Sequence, residues 1–289
     1  MSTLLTELLS PFGYDYMVKA MWVSALVGGV CAFLSAYLML KGWSLMGDAL
    51  AHSIVPGVAG AHILGFPFAV GAFFAGILAS VGMGFVKQHS RLREDAVIGL
   101  VFTSLFALGL LMASVWPTSV NIQTIVLGNI LAISDEDVIQ VAIIAGVSLC
   151  VLALKWKDLM VTFFDENHAR SIGLNTRLLK GVFFTLLSAC TVAALQTVGA
   201  CLVIAMVVTP GATAYLLTDR FGRLIIISIA IGATTSFVGA YISYFLDGAT
   251  GGVIVTLQTL LFLVAFYVAP KHGVLAARRQ QMAAAGAEA

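Results

Sequence analysis

Stretches of about twenty consecutive apolar residues recur along this chain, and nothing else constrains its fold as tightly. A hydrocarbon core roughly 30 Å thick is crossed by about 20 helical residues rising about 1.5 Å each. Residues 18–40, 66–86, 96–116, 178–198, 199–217 and 224–246 meet that length, and residues 138–154 and 253–269 are shorter but still suited to it. Composition agrees: 60% of the 289 residues are hydrophobic and 10% charged, whereas an average soluble domain carries roughly 25% charged residues. Too little polar surface is left to coat a water-facing globule, so the expected fold is all-α, a polytopic membrane bundle of helices. A net charge of +1 gives no sign of a nucleic-acid partner.

Two further segments leave the number of crossings at eight or nine. Residues 120–133 would be roughly 21 Å long if helical, short of a full span. Lys and Arg favour the cytoplasmic side of a membrane. With residues 87–95 placed inside and 120–133 not spanning, 14 of the 15 basic residues fall inside, and the run Asp135-Glu136-Asp137 falls outside. Residues 120–133 are therefore expected to form a short external helix. Residues 49–64 carry Pro56-Gly57 at their centre. Proline removes a backbone donor, and groups freed in this way survive at membrane depth only when buried in protein or lining a wet cavity. If this segment spans, the N-terminus is external and the count is nine; if it dips and returns, the count is eight. Residues 18–270 are expected to form one membrane domain, after an N-terminal segment 1–17 in which no signal-peptide pattern is read and before an Ala-rich tail 271–289 expected in the cytoplasm.

Ionisable residues inside apolar stretches are few. Asp48 and His52, at the start of the broken segment, are four apart and share one helix face. A mid-membrane carboxylate needs a cation, a donor or water. Carboxylate plus neutral imidazole is a mixed O/N donor set suited to Mn(II), Fe(II) and Zn(II). The same spacing also suits a proton relay, or an Asp48 that caps a helix beside an unrelated histidine. His62 reads as a turn residue beside Gly65-Phe66-Pro67, and His89, His168 and His272 as solvent-facing. Gln196, Gln258, Asn121, Gln123 and Asn129 read as interhelical hydrogen-bond partners. Cys31, Cys150, Cys190 and Cys201 read as small buried hydrophobes. The chain has no G-x-x-x-x-G-K-[ST], so it is not expected to be an enzyme that hydrolyses ATP itself.

Three blocks together carry a family resemblance. Residues 40–57, Leu-Lys-Gly-Trp-Ser-Leu-Met-Gly-Asp-Ala-Leu-Ala-His-Ser-Ile-Val-Pro-Gly, resemble the "L-x-G-D-x-x-[AS]-H-x-x-x-P-G" signature of the ABC-3 permeases. Leu127-Gly128-Asn129-Ile130-Leu131 with Ser134 and Asp137 resembles that family's "L-x-G-x-[IL]-L-x-x-S-x-x-D" stretch. Phe164, Asp165, Glu166, Ala169 and Gly173 resemble its "F-D-x-x-x-A-x-x-x-G" coupling helix. The wording around Asp48 is closest to the Yfe/Sit-type chelated iron and manganese permeases.

The resemblance implies a permease in the bacterial cytoplasmic (inner) membrane. It would pair with a second permease, identical or paralogous, dock a cytoplasmic ATPase dimer on its coupling helices, and receive metal from a periplasmic binding protein. No cofactor would stay bound; Mn2+, Fe2+ or Zn2+ would pass, with Asp48 and His52 as transit ligands. His52 must be neutral to ligate, so uptake should weaken on acidification. The rival expectations are a self-contained secondary metal carrier, or a siderophore or vitamin permease with a wide apolar path.

Overall fold

The computed structural model describes residues 7–43, 45–116, 133–269 and 273, with backbone alone at residues 88, 196–198, 200–202 and 204. A 3-10 turn, Ser10–Gly13, leads into α1 (Asp15–Lys41). Then come α2 (Met46–Ser53), α3 (Val55–Leu64), α4 (Phe68–His89) and α5 (Glu94–Val115). The second half holds α6 (Asp135–Phe164), the short α7 (Glu166–Ser171), α8 (Thr176–Val198), α9 (Ala200–Leu217), α10 (Phe221–Leu246) and α11 (Thr250–Val268). Among the described residues there is no strand, as the all-helical expectation requires. Among the described residues, seven helices, α1, α4, α5, α6, α8, α10 and α11, are long and apolar enough to cross a membrane. The external helix expected at 120–133 lies almost wholly outside the described residues, as does the tail 271–289 apart from Gly273.

α1 is the hub. Of its apolar window, 78% is buried inside the protein, against 17% for α5, which lies at the periphery. It packs on α6, α8, α9 and α10. Small residues permit these approaches, since in lipid helices associate through close packing and hydrogen bonds. A Cβ on Gly28 would strike Gly232 and Ser236 of α10. The same device joins α3 to α4, where a Cβ on Gly57 would collide with the Gly71 carbonyl. Inside α9, Pro210 interrupts the hydrogen-bond ladder. There Ser35 of α1 donates its hydroxyl to the Val208 carbonyl and accepts from the Gly211 N–H, both at 3.0 Å. Ser35 thus bonds the backbone on either side of Pro210.

Contacts at the helix ends fix which termini share a side. Lys19 of α1 pairs with Asp135 at the start of α6, and Tyr241 of α10 donates to the Leu8 carbonyl at 2.9 Å. At the opposite end, Trp43 after α1 donates to Glu94 at the start of α5, and Lys87 near the end of α4 lies 3.8 Å from the same carboxylate. Trp43 also packs on Phe163 and Phe184, which brings the end of α6 and the lower part of α8 to this side.

One element differs in length from expectation. Residues 138–154 were the apolar segment, but α6 runs for 30 residues. Charge ends a hydropathy run without ending a helix. Lys155 and Asp158 form an i,i+3 pair at 3.2 Å, and the helix continues to Phe164. At its other end Ser134 caps the first turn, accepting from the Asp137 N–H at 3.1 Å and donating to the Asp137 carboxylate at 2.7 Å. The acidic run 135–137 is thus the first turn of a helix, where the dipole favours negative charge.

Candidate functional site

Asp48 and His52 lie one turn apart on α2, a helix of eight residues that stops because Pro56 follows. Proline has no N–H to give the carbonyl four residues back, which here is that of His52. The regular helix is interrupted at Ile54, whose dihedrals stay right-handed helical, and resumes as α3. The break expected in residues 49–64 is therefore present, as two helices in series. Asp48 does not cap α2: the N-cap position is Leu45, and no side chain caps it. Its Oδ1 instead faces His52 Nδ1 at 2.9 Å, while the same nitrogen lies 3.1 Å from the Asp48 carbonyl.

Asp48 and His52 keep 35% and 26% of their side-chain surface exposed in the single chain. Neither is sealed in the core, and both present donors at an open face. The His52 ring stands edge-to-face against Phe102 and Phe106 of α5, each 5.4 Å away between ring centres. Those two phenylalanines, one turn apart, hold the imidazole plane. Sequence reading missed them, because nothing local links residue 52 to residues 102 and 106. On the other side of α2, Ser53 is fully buried and its hydroxyl has no partner among the described residues. Among the described residues no cluster of three or more His, Cys, Asp or Glu forms. Among the described residues, a single chain thus offers two side-chain donor groups here, and four to six ligands are the usual requirement of a divalent ion.

Of the other histidines, His62, His89 and His168 stand apart among the described residues, and His272 lies outside them. His62 stacks on Phe68 at the end of α3, and His89 bonds the Phe85 carbonyl at 2.9 Å. Gln258 donates to Thr235 at 3.2 Å between α11 and α10, the interhelical role expected of it. Asn121, Gln123, Asn129 and the side chain of Gln196 lie outside the described residues. Cys31 and Cys190 are buried as expected, but Cys150 is exposed on the outer face of α6.

The second predicted group is gathered on α7. Asp165 caps the helix, accepting from the N–H groups of Asn167 and His168 at 2.9 and 3.1 Å. Glu166 binds Arg170 at 2.6 Å and reaches Lys180 on α8. Burial pushes the Glu166 carboxyl up, but the Lys180 and Arg170 cations outweigh it and hold the group below the usual carboxylate range. Ala169 is fully buried, and Gly173 takes φ +84° as the chain leaves the helix, where only glycine is unstrained. Phe164 is 78% exposed at the corner between α6 and α7.

The sequence profile of the ABC 3 transport family matches residues 13–269. The chain belongs to the ABC 3 transport family. Members are transport components, and this chain is a multi-pass membrane permease. It is 72% identical over 275 residues to the chelated iron transport system membrane protein YfeC of Yersinia pestis, covering 95% of this chain and 94% of that one. It is 49% identical over 269 residues to the manganese transport system membrane protein MntB of Synechocystis, covering 93% and 88%. Among solved structures it resembles PsaBC from Streptococcus pneumoniae in complex with Fab, at 34% identity and a TM-score of 0.83, covering 93% of this chain and 97% of that one.

Proposed function

We propose that this permease forms the translocation pathway of an ATP-driven importer for Mn2+ or Fe2+, with Asp48 and His52 as transit ligands. The observation that carries the proposal is the Asp48–His52 pair itself, two donors 2.9 Å apart on a half-exposed face beside a proline break. Carboxylate and imidazole suit both metals, and the names of the two sequence relatives point to iron and manganese. Two donors per chain are enough for transit. Water or the matching pair of a second permease completes the shell, and a partial cage lets the ion leave, as conduction requires.

The chain crosses the membrane nine times in this reading, with its N-terminus outside. Trp43 and Glu94 share an end, and α4 ends there too. The chain therefore has to travel from that end at Trp43 to the opposite one at Phe68, and α2 with α3 is the only segment available for the climb. α9 supplies the other short pass, with apolar helix over Ala205–Leu217. The end that holds Lys87, Arg170, Arg177 and Lys180 is cytoplasmic by the distribution of basic residues. There α7 serves as the coupling helix, offering Phe164 to a cytoplasmic ATPase while Glu166 ties it to α8. A periplasmic binding protein delivers the metal on the other side.

The test is uptake by the permease reconstituted with its ATPase in proteoliposomes, with Mn2+, Fe2+ and Zn2+ in competition. ATP-dependent accumulation of Mn2+ or Fe2+, outcompeting Zn2+, is expected. Metal flux without the ATPase would make the protein a self-contained carrier, and uptake of a bulky chelate alone would make it a siderophore-type permease.

A further inference from the structure

A second concavity opens at the end of the bundle that holds Trp43 and Glu94. Its volume is about 880 Å³, within the usual range for a small-ligand site, and it lies between α4, α5, α7 and α8. Its lining follows helical periodicity. On α4, Ile77, Val81, Gly84 and Phe85 fall on one face; on α8, Arg177, Lys180, Gly181 and Phe184 do the same. α4 ends and α8 begins at this side, so the two faces run side by side into the membrane. Charge gathers at the mouth, and the wall turns apolar with depth: Ile77 lies about 15 Å along α4 from Lys87.

The charge at the mouth is unbalanced. Among the described lining residues, Lys87, Arg170, Arg177 and Lys180 face only Glu94 and Glu166. Both acids are already engaged, Glu166 by Arg170 and Lys180, and Glu94 by Trp43 and Lys87. Arg177 forms no ion pair among the described residues. A mouth with this excess of cations repels a divalent metal and favours an anion. The depth asks for something else: Val81 and Phe85 are each 62% exposed in the single chain. A free inorganic anion would leave that apolar wall uncovered, and so would an acidic protein segment docked at the mouth.

We propose that this groove binds an anionic phospholipid, its headgroup on Arg177, Lys87 and Lys180 and one acyl chain along the α4–α8 face. Basic pockets between membrane helices on the cytoplasmic side select anionic headgroups by the same physics. The lipid is that of the leaflet on the Trp43–Glu94 side. The inference does not depend on which metal is carried.

The test places the assembled permease complex in nanodiscs of equal phosphatidylglycerol and phosphatidylcholine, and counts the lipids retained after mild detergent extraction by native mass spectrometry. The wild-type protein should retain phosphatidylglycerol in preference. Arg177→Gln breaks no ion pair and should reduce that preference about fivefold, the effect of one basic residue near a membrane surface. Gly181→Leu should lower total retention, because a Cβ there meets nothing within 4 Å and the side chain fills the groove without a clash. Equal retention of both lipids would overturn the proposal, as would a preference that survives both variants. So would full displacement of phosphatidylglycerol by millimolar inorganic phosphate, which would leave only an anion site. Retention seen only after the ATPase is stripped away would assign the groove to that partner and equally end the lipid reading.

Discussion

At the scale of single residues, the Asp48–His52 pair, the proposed donor set, is held by three features. The i,i+4 spacing brings the side chains together, the proline break ends the helix just beyond them, and Phe102 and Phe106 fix the ring. Fixing the ring matters because a histidine ligates through whichever nitrogen is left with its lone pair, and the partner of the other nitrogen decides which. Asp48→Asn keeps the size and the hydrogen-bonding shape while removing the charge. Metal accumulation by the reconstituted complex should fall about 10- to 100-fold, the usual cost of disturbing a ligand or its orienting partner. Wild-type uptake by this variant at normal expression would remove the coordination role. The pair could be read in the sequence because its spacing is local. Its aromatic brackets could not, since a packing partner fifty residues away leaves no periodic trace.

At the scale of elements, the contacts between helices are set by glycine and by ion pairs. Gly57 meets Gly71 so closely that Gly57→Val must displace the backbone of α4, a cost of about 1–3 kcal/mol for an overpacked contact. The thermal midpoint in detergent should drop, whereas Gly146→Ala, where a Cβ meets nothing within 4 Å, should not lower it. Equal midpoints for the two variants would contradict the α3–α4 crossing. The α7–α8 junction carries a pH dependence of known sign. The Glu166 carboxyl is held low by Lys180 and Arg170, so its stabilising effect is complete above the ordinary glutamate value of about 4.3 and is lost as pH falls through the lower folded value. Hydrogen-exchange protection over residues 166–180 should stay level from neutral pH to about 5 and decline below about 4. In Glu166→Gln that acid limb should be flat, and an unchanged limb would place its origin elsewhere.

At the scale of the whole molecule, the open question is how the chain threads the membrane, and the two ends of the bundle answer it with different residues. The nine-pass reading puts Gly13 outside and both Leu45 and His89 inside. In a cysteine-free background, Gly13→Cys should react with a membrane-impermeant maleimide in intact spheroplasts. Leu45→Cys and His89→Cys should react only after permeabilisation. External labelling of Leu45→Cys would return the segment 46–64 to a dip and the count to eight. The outcome also bears on transport, because a spanning α2–α3 carries the Asp48–His52 pair through the membrane rather than to one surface of it.

The sequence alone determined the solvent, the helical class, most of the long spans and the chemical identity of the proposed ligands. Each of these is written in local pattern: hydropathy over about twenty residues, a four-residue spacing, a proline. It also carried the start of α7, since Asp165 before Glu166 is a short-range signal, whereas the Ser134 cap of α6 was seen only in the structure. What only the tertiary structure decided is long-range. It showed that α6 continues past its charges, that α1 is the hub, and that Ser35 bonds the backbone on either side of Pro210. It also showed that Trp43 and Glu94, fifty-one residues apart, meet at one end. In lipid all exposed surfaces are apolar, so hydropathy separates membrane from water but not one helix neighbour from another. Neighbours are chosen by shape and by a few polar contacts, and those exist only once the helices have packed.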